Sequence, residues 1–319
     1  MTVLVTGANG FVGRALCASL ACAGDEPVAA VRQASASSAI PGAARIVPVG
    51  EVGPNTDWSA ALQGCAAVVH LAARAHVMHD PAADPLARYR AVNTDGTLQL
   101  ARQAVAAGVH RFVFVSSIKV QGEERAVPYT EADPAAPGDA YAVSKWEAEQ
   151  GLWRIAEETG LEVVVLRPPL IYGPGVRANF LRLLHWVACG VPLPFGAVEN
   201  RRSLLFVGNL ADAIGRCLNH PRAAGKTLLV CDGEALSTKA LVEAIARAMG
   251  RPARLVSVAP DLLRRVAHWL GKGAEADRLL GSLALECGKL RQELDWRPPF
   301  TFEQGIRATV DAFLKGQQP

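Results

Sequence analysis

The stretch "VLVTGANGFVGRAL", Val3 to Leu16, decides how the chain is read. A short β-forming run, Val3–Thr6, enters a turn with glycines at 7, 10 and 13, and an apolar-periodic helix pattern follows at once. Glycines let such a turn close and let the backbone approach a pyrophosphate. The helix start beyond it offers unpaired N–H groups and the positive end of a dipole. Gly7, Gly10 and Gly13 are therefore the expected cradle of a dinucleotide.

Outward from this turn the first half of the chain alternates strand and helix patterns. Strands are expected at Val3–Thr6, Val28–Val31, Arg45–Val49, Ala67–Leu71, Phe112–Ser116 and Glu162–Leu166. Amphipathic helices are expected at Phe11–Ala23, Leu86–Ala107 and Ala140–Glu158. Such alternation means a parallel sheet covered on both faces. The consecutive apolar residues of "VVVL" at Val163 suit a central parallel strand.

After Arg167 the texture changes to Pro/Gly-rich loops and then to helices at 180–188, 210–218, 238–249, 260–270 and 302–314. Thr301 and Gln304 form a capping-box pattern, and Gly250 a helix stop. The fold class is therefore α/β: a Rossmann-type, doubly wound parallel sheet with a smaller, mostly helical C-terminal lobe for substrate. Residues 1–166 form the expected dinucleotide-binding domain, with 203–220 returning to it, and 167–319 the substrate lobe.

Composition sets outer limits. The chain has 319 residues, half of them hydrophobic and a fifth charged, with a net charge of +3. Scattered arginines and a small net charge leave no nucleic-acid or membrane footprint. No apolar run reaches spanning length and no leader pattern precedes "TVLVTG", so a cytoplasmic protein without membrane insertion is expected. The seven cysteines contain no C-x-x-C pair and read as reduced, with no disulfide. His70, His76 and His79 lie close in sequence, but without a Cys or carboxylate cluster no metal is expected.

The G-x-x-G-x-x-G turn resembles that of the extended short-chain dehydrogenase/reductase family, the epimerase/dehydratase group. "VVHLAA" (68–73), "NTDGT" (93–97), "FVFVSS" (112–117), "YAVSK" (141–145) and "RPPLIYGPG" (167–175) carry the resemblance along nearly the whole chain. It implies that Phe11 and Val12 approach the pyrophosphate, and that Glu51 and Val52 lie by the adenine. It further implies that Leu71, Ala72, Ala73 and Pro168 line the cofactor cleft, and that Asn93 braces the catalytic helix. A homodimer through the 86–107 and 141–158 helices is implied as well.

Tyr141 and Lys145 stand four apart, so a helix puts them on one face. A phenol titrates near pH 10 and is a poor base at neutrality. A nearby ammonium and a cationic nicotinamide favour the phenolate, which then exchanges protons with a sugar hydroxyl or carbonyl. Ser117, at the end of its strand, would hold the reacting oxygen, and Lys145 would also bond the nicotinamide ribose. Two positions depart from the family's S-S-x-x-V-Y-G pattern: Lys119 and Gln121. Lys119 would touch substrate or sit as a rim lysine in water.

The segment "VPLPFGAVENRRSLLFV" resembles the part of nucleotide-sugar epimerases that closes over the nucleotide. By that resemblance Arg202 meets a diphosphate, Asn179 holds it from a helix start, Pro194–Gly196 frame the base, and Arg278 is a second phosphate candidate. A hydroxysteroid or flavonoid reductase shares some of this texture but needs no anion clamp. A non-catalytic scaffold would not need Ser117, Tyr141 and Lys145.

Arg32 follows Gly13 by nineteen positions, where NAD enzymes place a ribose-binding acid. An arginine there, aided by Arg14, favours a 2′-phosphate, so NADP(H) is the expected cofactor, with NAD(H) the alternative. A freely exchanged reductant suits a net reductase. The expected activity is therefore reduction of a UDP-4-keto-6-deoxy-N-acetylhexosamine in bacterial surface-polysaccharide synthesis. The alternative is a UDP-hexose 4-epimerase.

Overall fold

The computed structural model describes residues 1–33, 39–75 and 84–316. Its strands are β1 (Thr2–Thr6), β2 (Glu26–Val31), β3 (Arg45–Pro48), β4 (Ala67–His70), β5 (Arg111–Val115), β6 (Glu162–Arg167), β7 (Leu170–Tyr172), β8 (Leu204–Phe206) and β9 (Lys226–Leu229). The helices are α1 (Phe11–Cys22), α2 (Ser59–Leu62), α3 (Pro85–Tyr89), α4 (Gly96–Ala106), α5 (Ala140–Thr159) and α6 (Ala178–Ala188). They continue with α7 (Val207–Asn219), α8 (Thr238–Ala248), α9 (Pro260–Trp269), α10 (Gly273–Leu280), α11 (Gly288–Leu294) and α12 (Phe302–Lys315).

Seven parallel strands form one sheet in the order β3-β2-β1-β4-β5-β6-β9. Winding runs outward in both directions from the β1/β4 boundary, as in a doubly wound Rossmann-type sheet. The period-2 alternation of strand side chains divides the core. Val3, Val5, Val69 and Val164 face α1 and α7, packing on Leu16, Leu20, Leu210 and Ile214. Leu4, Val68, Phe112 and Val165 face the other way, onto Leu100 of α4 and Leu152 of α5. A third cluster, including Phe180, Leu184, Val242, Ile245 and Val310, holds the helical C-terminal region together.

The six strands expected from the sequence are all present, and β9 is added to the sheet edge beside β6. The expected capping box of α12 forms between Thr301 and Gln304. Gly250 has φ +67°, the left-handed stop expected after α8. One helix differs. The expected 86–107 helix is α3 and α4 joined by a π-helical turn over Arg90–Asp95. Such a turn inserts an extra residue per helical turn and re-aims a side chain, here Asn93.

The cysteine expectation is corrected. Cys231 and Cys287 are disulfide-bonded, with Cα atoms 6.1 Å apart. They lie 56 residues apart in the chain and no local motif joins them. The return of the chain through β9 carries Cys231 to the segment ahead of α11. There the pair packs with Ile118, Tyr129, Leu229, Leu283 and Leu285. The other five cysteines are unpaired.

Among the described residues no helix is long and apolar enough to cross a membrane.

Candidate active site

The carboxyl ends of the strands meet at the switch point between β1 and β4, where ligands of open α/β sheets bind. Gly7 follows β1 with φ +63°, and a Cβ there would stand 3.0 Å from the Ala72 nitrogen. A Cβ on Gly13 would collide with the Gly7 carbonyl oxygen and come within 2.6 Å of the Ala8 Cα. Both positions thus need glycine, for backbone conformation and for close approach. Gly10 caps α1 without a side chain, so no side-chain oxygen covers the first-turn amides. The Gly10 N–H closes the turn onto the Gly7 carbonyl at 2.9 Å.

Thr6 binds the two crossover segments together. Its Oγ1 accepts from the Leu71 and Ala72 amides, both at 3.0 Å, and contacts His70 Nδ1 at 2.7 Å. His70 Nε2 meets Thr97 Oγ1 at 3.0 Å, so both ring nitrogens are engaged. Burial, with the Lys145 charge adding to it, pushes the His70 pKa down to about 3. His76 and His79 lie outside the described residues. Among the described ones no group of three His, Cys, Asp or Glu is placed to hold a metal.

Phe11 and Val12 are half-buried at the start of α1 and pack toward the C-terminal cluster. Leu71, Ala72 and Ala73 follow β4 and are likewise half-buried. Val52 packs on the sheet face beneath α4. Pro168 is buried beyond β6, and its carbonyl accepts the Ile118 N–H at 3.0 Å. The residues expected to hold a dinucleotide therefore surround one edge of the sheet. The glycine cradle, which a single Cβ would fill, fits a bound pyrophosphate.

Arg32 and Glu51, at the ends of β2 and β3, form an ion pair at 3.1 Å, both largely exposed. The Arg14 guanidinium donates to the Ala39 carbonyl at 3.0 Å.

The catalytic candidates converge one strand further on. α5 begins at Asp139, whose carboxylate caps the helix through the Ala142 N–H at 2.7 Å. This places Tyr141 in the first turn, where the Ser117 side chain acts on the phenol. Its ring meets Tyr89 edge-on at 6.3 Å. Burial drives the phenol pKa well above its ordinary value and the Asp139 charge adds to this, while Ser117 opposes it. Lys145 is buried one turn along, its Nζ 2.9 Å from the Val115 carbonyl and 4.3 Å from the centre of the Phe114 ring. Burial pulls its pKa down to about 7, with Glu149 opposing.

Asn93 is held at this site by the π-helical turn. Its Nδ2 donates to Ser144 Oγ at 3.0 Å and to the Arg74 carbonyl, and its Oδ1 accepts from the Arg74 amide. Thr94 Oγ1 adds a bond to the Ser144 carbonyl at 2.9 Å.

Sequence reasoning missed the support under Lys145. Glu149 is fully buried, accepting from Ser116 Oγ at 2.5 Å and from the Arg167 guanidinium at 3.1 and 2.5 Å. The signal was visible as the spacing Tyr141–Lys145–Glu149, three residues on one helix face. Lys119 is partly exposed, and its Nζ is ion-paired to Asp139 at 2.6 Å and to Glu123 at 2.7 Å. Gln121 is buried and donates to the Thr130 and Asp133 carbonyls at 2.7 and 3.0 Å.

On the C-terminal side, Arg202 is largely enclosed and donates to the Gly281 carbonyl at 2.9 Å. Burial lowers its pKa; Glu124 and Glu123 oppose the fall, and Arg278 adds to it. Asn179, near the start of α6, accepts a bond from Arg182 at 2.9 Å. Pro194 lies in a turn tied by the Leu193–Leu255 bridge.

Comparison with known proteins identifies the family. The model of the NAD dependent epimerase/dehydratase family matches residues 3–231. A UDP-glucose 4-epimerase of Vibrio cholerae is 42% identical over 98% of this chain and 96% of its own length. A GDP-6-deoxy-D-mannose reductase of Pseudomonas aeruginosa is 32% identical over 76% of this chain and 79% of its own. The structure of MoeE5 in complex with UDP-glucose and NAD superposes with a TM-score of 0.79 over the whole of both chains, at 25% identity. Fold, cradle and relatives agree, and the chain belongs to the NAD-dependent epimerase/dehydratase family, an enzyme group within the extended short-chain dehydrogenases/reductases.

Proposed function

We propose that the protein is a UDP-sugar 4-epimerase that works with a retained NAD. The observation that carries this is the gathering of Ser117, Tyr141, Lys145 and Asn93 on the sheet edge beside the glycine cradle. The Vibrio cholerae relative, a UDP-glucose 4-epimerase aligned end to end, supports C4 of a UDP-hexose as the reacting centre.

The chain's own residues supply binding and proton transfer. Gly7, Gly10 and Gly13 admit the pyrophosphate to the start of α1. The chemistry that the cofactor supplies when bound is acceptance of hydride from sugar C4 and its return to the other face. Ser117 hydrogen-bonds the C4 oxygen, and Tyr141 takes its proton as the C–H bond breaks. The same phenol returns the proton to the 4-keto oxygen when C4 is reduced again, so atoms balance over the cycle. A buried phenol is a poor base; the Lys145 ammonium, one turn away, stabilises the phenolate. The Glu149 carboxylate, itself held by Arg167, favours the charged form of that lysine. Arg202 and Arg278 give the C-terminal side two neighbouring cations, suited to a diphosphate.

NAD is favoured over NADP because Glu51 sits against Arg32. A 2′-phosphate there would meet a carboxylate as well as a guanidinium. A net 4-ketoreductase is the second reading, favoured by Arg32 itself and by the GDP-6-deoxy-D-mannose reductase relative. Purified protein is incubated with UDP-glucose and, separately, with a UDP-4-keto sugar and NADPH. Interconversion of UDP-glucose and UDP-galactose without added cofactor supports the epimerase. NADPH consumption without interconversion replaces it with the reductase.

A further inference from the structure

Ser117 and Tyr141 reach the site on separate segments, and a single ammonium ties those segments together. Lys119 stands two residues after Ser117, on the 3-10 turn Ile118–Val120 that Ser117 caps. Asp139 stands two residues before Tyr141 and caps α5. Lys119 Nζ bridges from its own turn to Asp139 Oδ2 at 2.6 Å and to Glu123 Oε1 at 2.7 Å. Asp139 uses both oxygens, one for Lys119 and one for the Ala142 amide. The tie is three-quarters shielded at Lys119 and about two-thirds at Asp139, so solvent screens it less than an open surface pair.

We propose that Lys119 is a positioning residue of the reaction: it holds the Ser117 turn against the start of the Tyr141 helix and offsets the Asp139 carboxylate beside the phenol. This rests on the reading of Tyr141 as the acid–base group. A carboxylate two residues away disfavours a phenolate. Asp139, Tyr89 and Ser117 act on the phenol directly; Lys145 follows one turn along α5, and Lys119 and Glu123 cluster at Asp139. Asp139 acts against phenolate formation in addition to burial. Lys119 pairs that carboxylate and so leaves the Lys145 ammonium to dominate. Without Lys119, two carboxylates would face the phenol's end of the helix with no cation between them. Two of the three Nζ donors are spent on these carboxylates, which leaves Lys119 poorly placed to bind sugar.

The test uses full-length, NAD-loaded protein and the variants Lys119→Met, Lys119→Arg and Lys119→Met/Asp139→Asn. Asn keeps the helix cap while removing the charge. The chain has four tyrosines, so ring-carbon-labelled tyrosine gives a resolvable NMR spectrum, with Tyr141 assigned through Tyr141→Phe. In Lys119→Met the Tyr141 titration and the rising limb of the kcat–pH profile move up by about one pH unit. At neutral pH kcat then falls by about tenfold with KM unchanged. Lys119→Arg stays near wild type, and the double variant returns the Tyr141 titration to the wild-type position.

An unmoved titration in Lys119→Met overturns the proposal. So does a rise in KM with constant kcat, which would make Lys119 a substrate contact. Equal loss in the single and double variants overturns it too, since that is a purely structural tie. Full turnover in Tyr141→Phe removes the acid–base reading, and the role of Lys119 with it. Lost turnover there with an unmoved Lys119→Met titration removes the role of Lys119 alone.

Discussion

Arg32 Nε lies 3.1 Å from Glu51 Oε1, joining the ends of β2 and β3 at the corner where an adenosine ribose would rest. Both side chains are mostly exposed, at 68% and 76%, so the pair is screened and adds little to stability. The pair is proposed to bear on the choice between NAD and NADP. Glu51→Gln leaves Arg32 without its carboxylate, and NADP+ binding should gain up to about tenfold relative to NAD+. Arg32→Asp should shift the ratio the other way. Dissociation constants for the two cofactors, measured by calorimetry, check this. A ratio unmoved in both variants would remove the corner from cofactor choice.

Tyr141→Phe keeps the ring and its edge contact with Tyr89 but deletes the hydroxyl proposed to transfer the proton. Turnover should drop by about 100-fold to 10,000-fold. Binding of NAD+ and UDP should survive, because no cradle residue is touched. Loss of nucleotide binding in parallel would give the hydroxyl a structural role instead.

Gly13→Ala adds a methyl that collides with the Gly7 carbonyl oxygen and stands 2.6 Å from the Ala8 Cα, both of them backbone. Backbone cannot rotate away as a side chain can. The turn must open, at a cost of about 1–3 kcal/mol, and the cradle loses its shape. A lower melting temperature with NAD+ affinity reduced at least tenfold is the expected result. Native affinity would mean that the turn is more forgiving than its contacts imply.

His70 gives the protein a calculable sensitivity to acid. Burial holds its pKa near about 3, against an ordinary value of 6.5. Below pH 6.5 the unfolded chain binds a proton there that the folded chain refuses. The contribution is therefore fully present above pH 6.5 and is lost as pH falls toward 3. The slope is at most about 1.4 kcal/mol for each pH unit crossed. His70→Gln should flatten the stability–pH curve within that window, as read by urea unfolding between pH 4 and 7. Parallel curves for both proteins would show that His70 is protonated within the fold at no cost.

The Cys231–Cys287 bond closes a loop of 56 residues of separation. Reduction, or Cys231→Ser, should lower stability by about 2–4 kcal/mol. Thermal melts with and without a reductant measure it. An identical melting temperature would assign the pair no stabilising role.

Much of this molecule was legible before any coordinates. The strand–glycine–helix unit around Gly7–Gly13 was readable because each requirement, β-branched run, φ-permissive turn and helix periodicity, acts between near neighbours in the chain. The shared helix face of Tyr141 and Lys145 follows from 3.6 residues per turn alone, and Glu149 belongs to the same face. The capping box at Thr301 and the stop at Gly250 are likewise local events.

Charge partners were not legible. Lys119 meets Asp139, twenty residues away in the chain, only through the fold. Arg32 is paired with Glu51 only because the strand order sets the ends of β2 and β3 side by side. The cysteines looked independent until the return through β9 joined two of them. The π-helical turn at Asn93 was equally silent, since helix periodicity absorbs one extra residue without visible change in pattern. Short-range order is written in neighbouring residues because backbone sterics and hydrophobic period operate over one or two turns. Pairings between distant side chains depend on strand order and crossover paths, and many sequences compatible with the same local pattern would pair them differently.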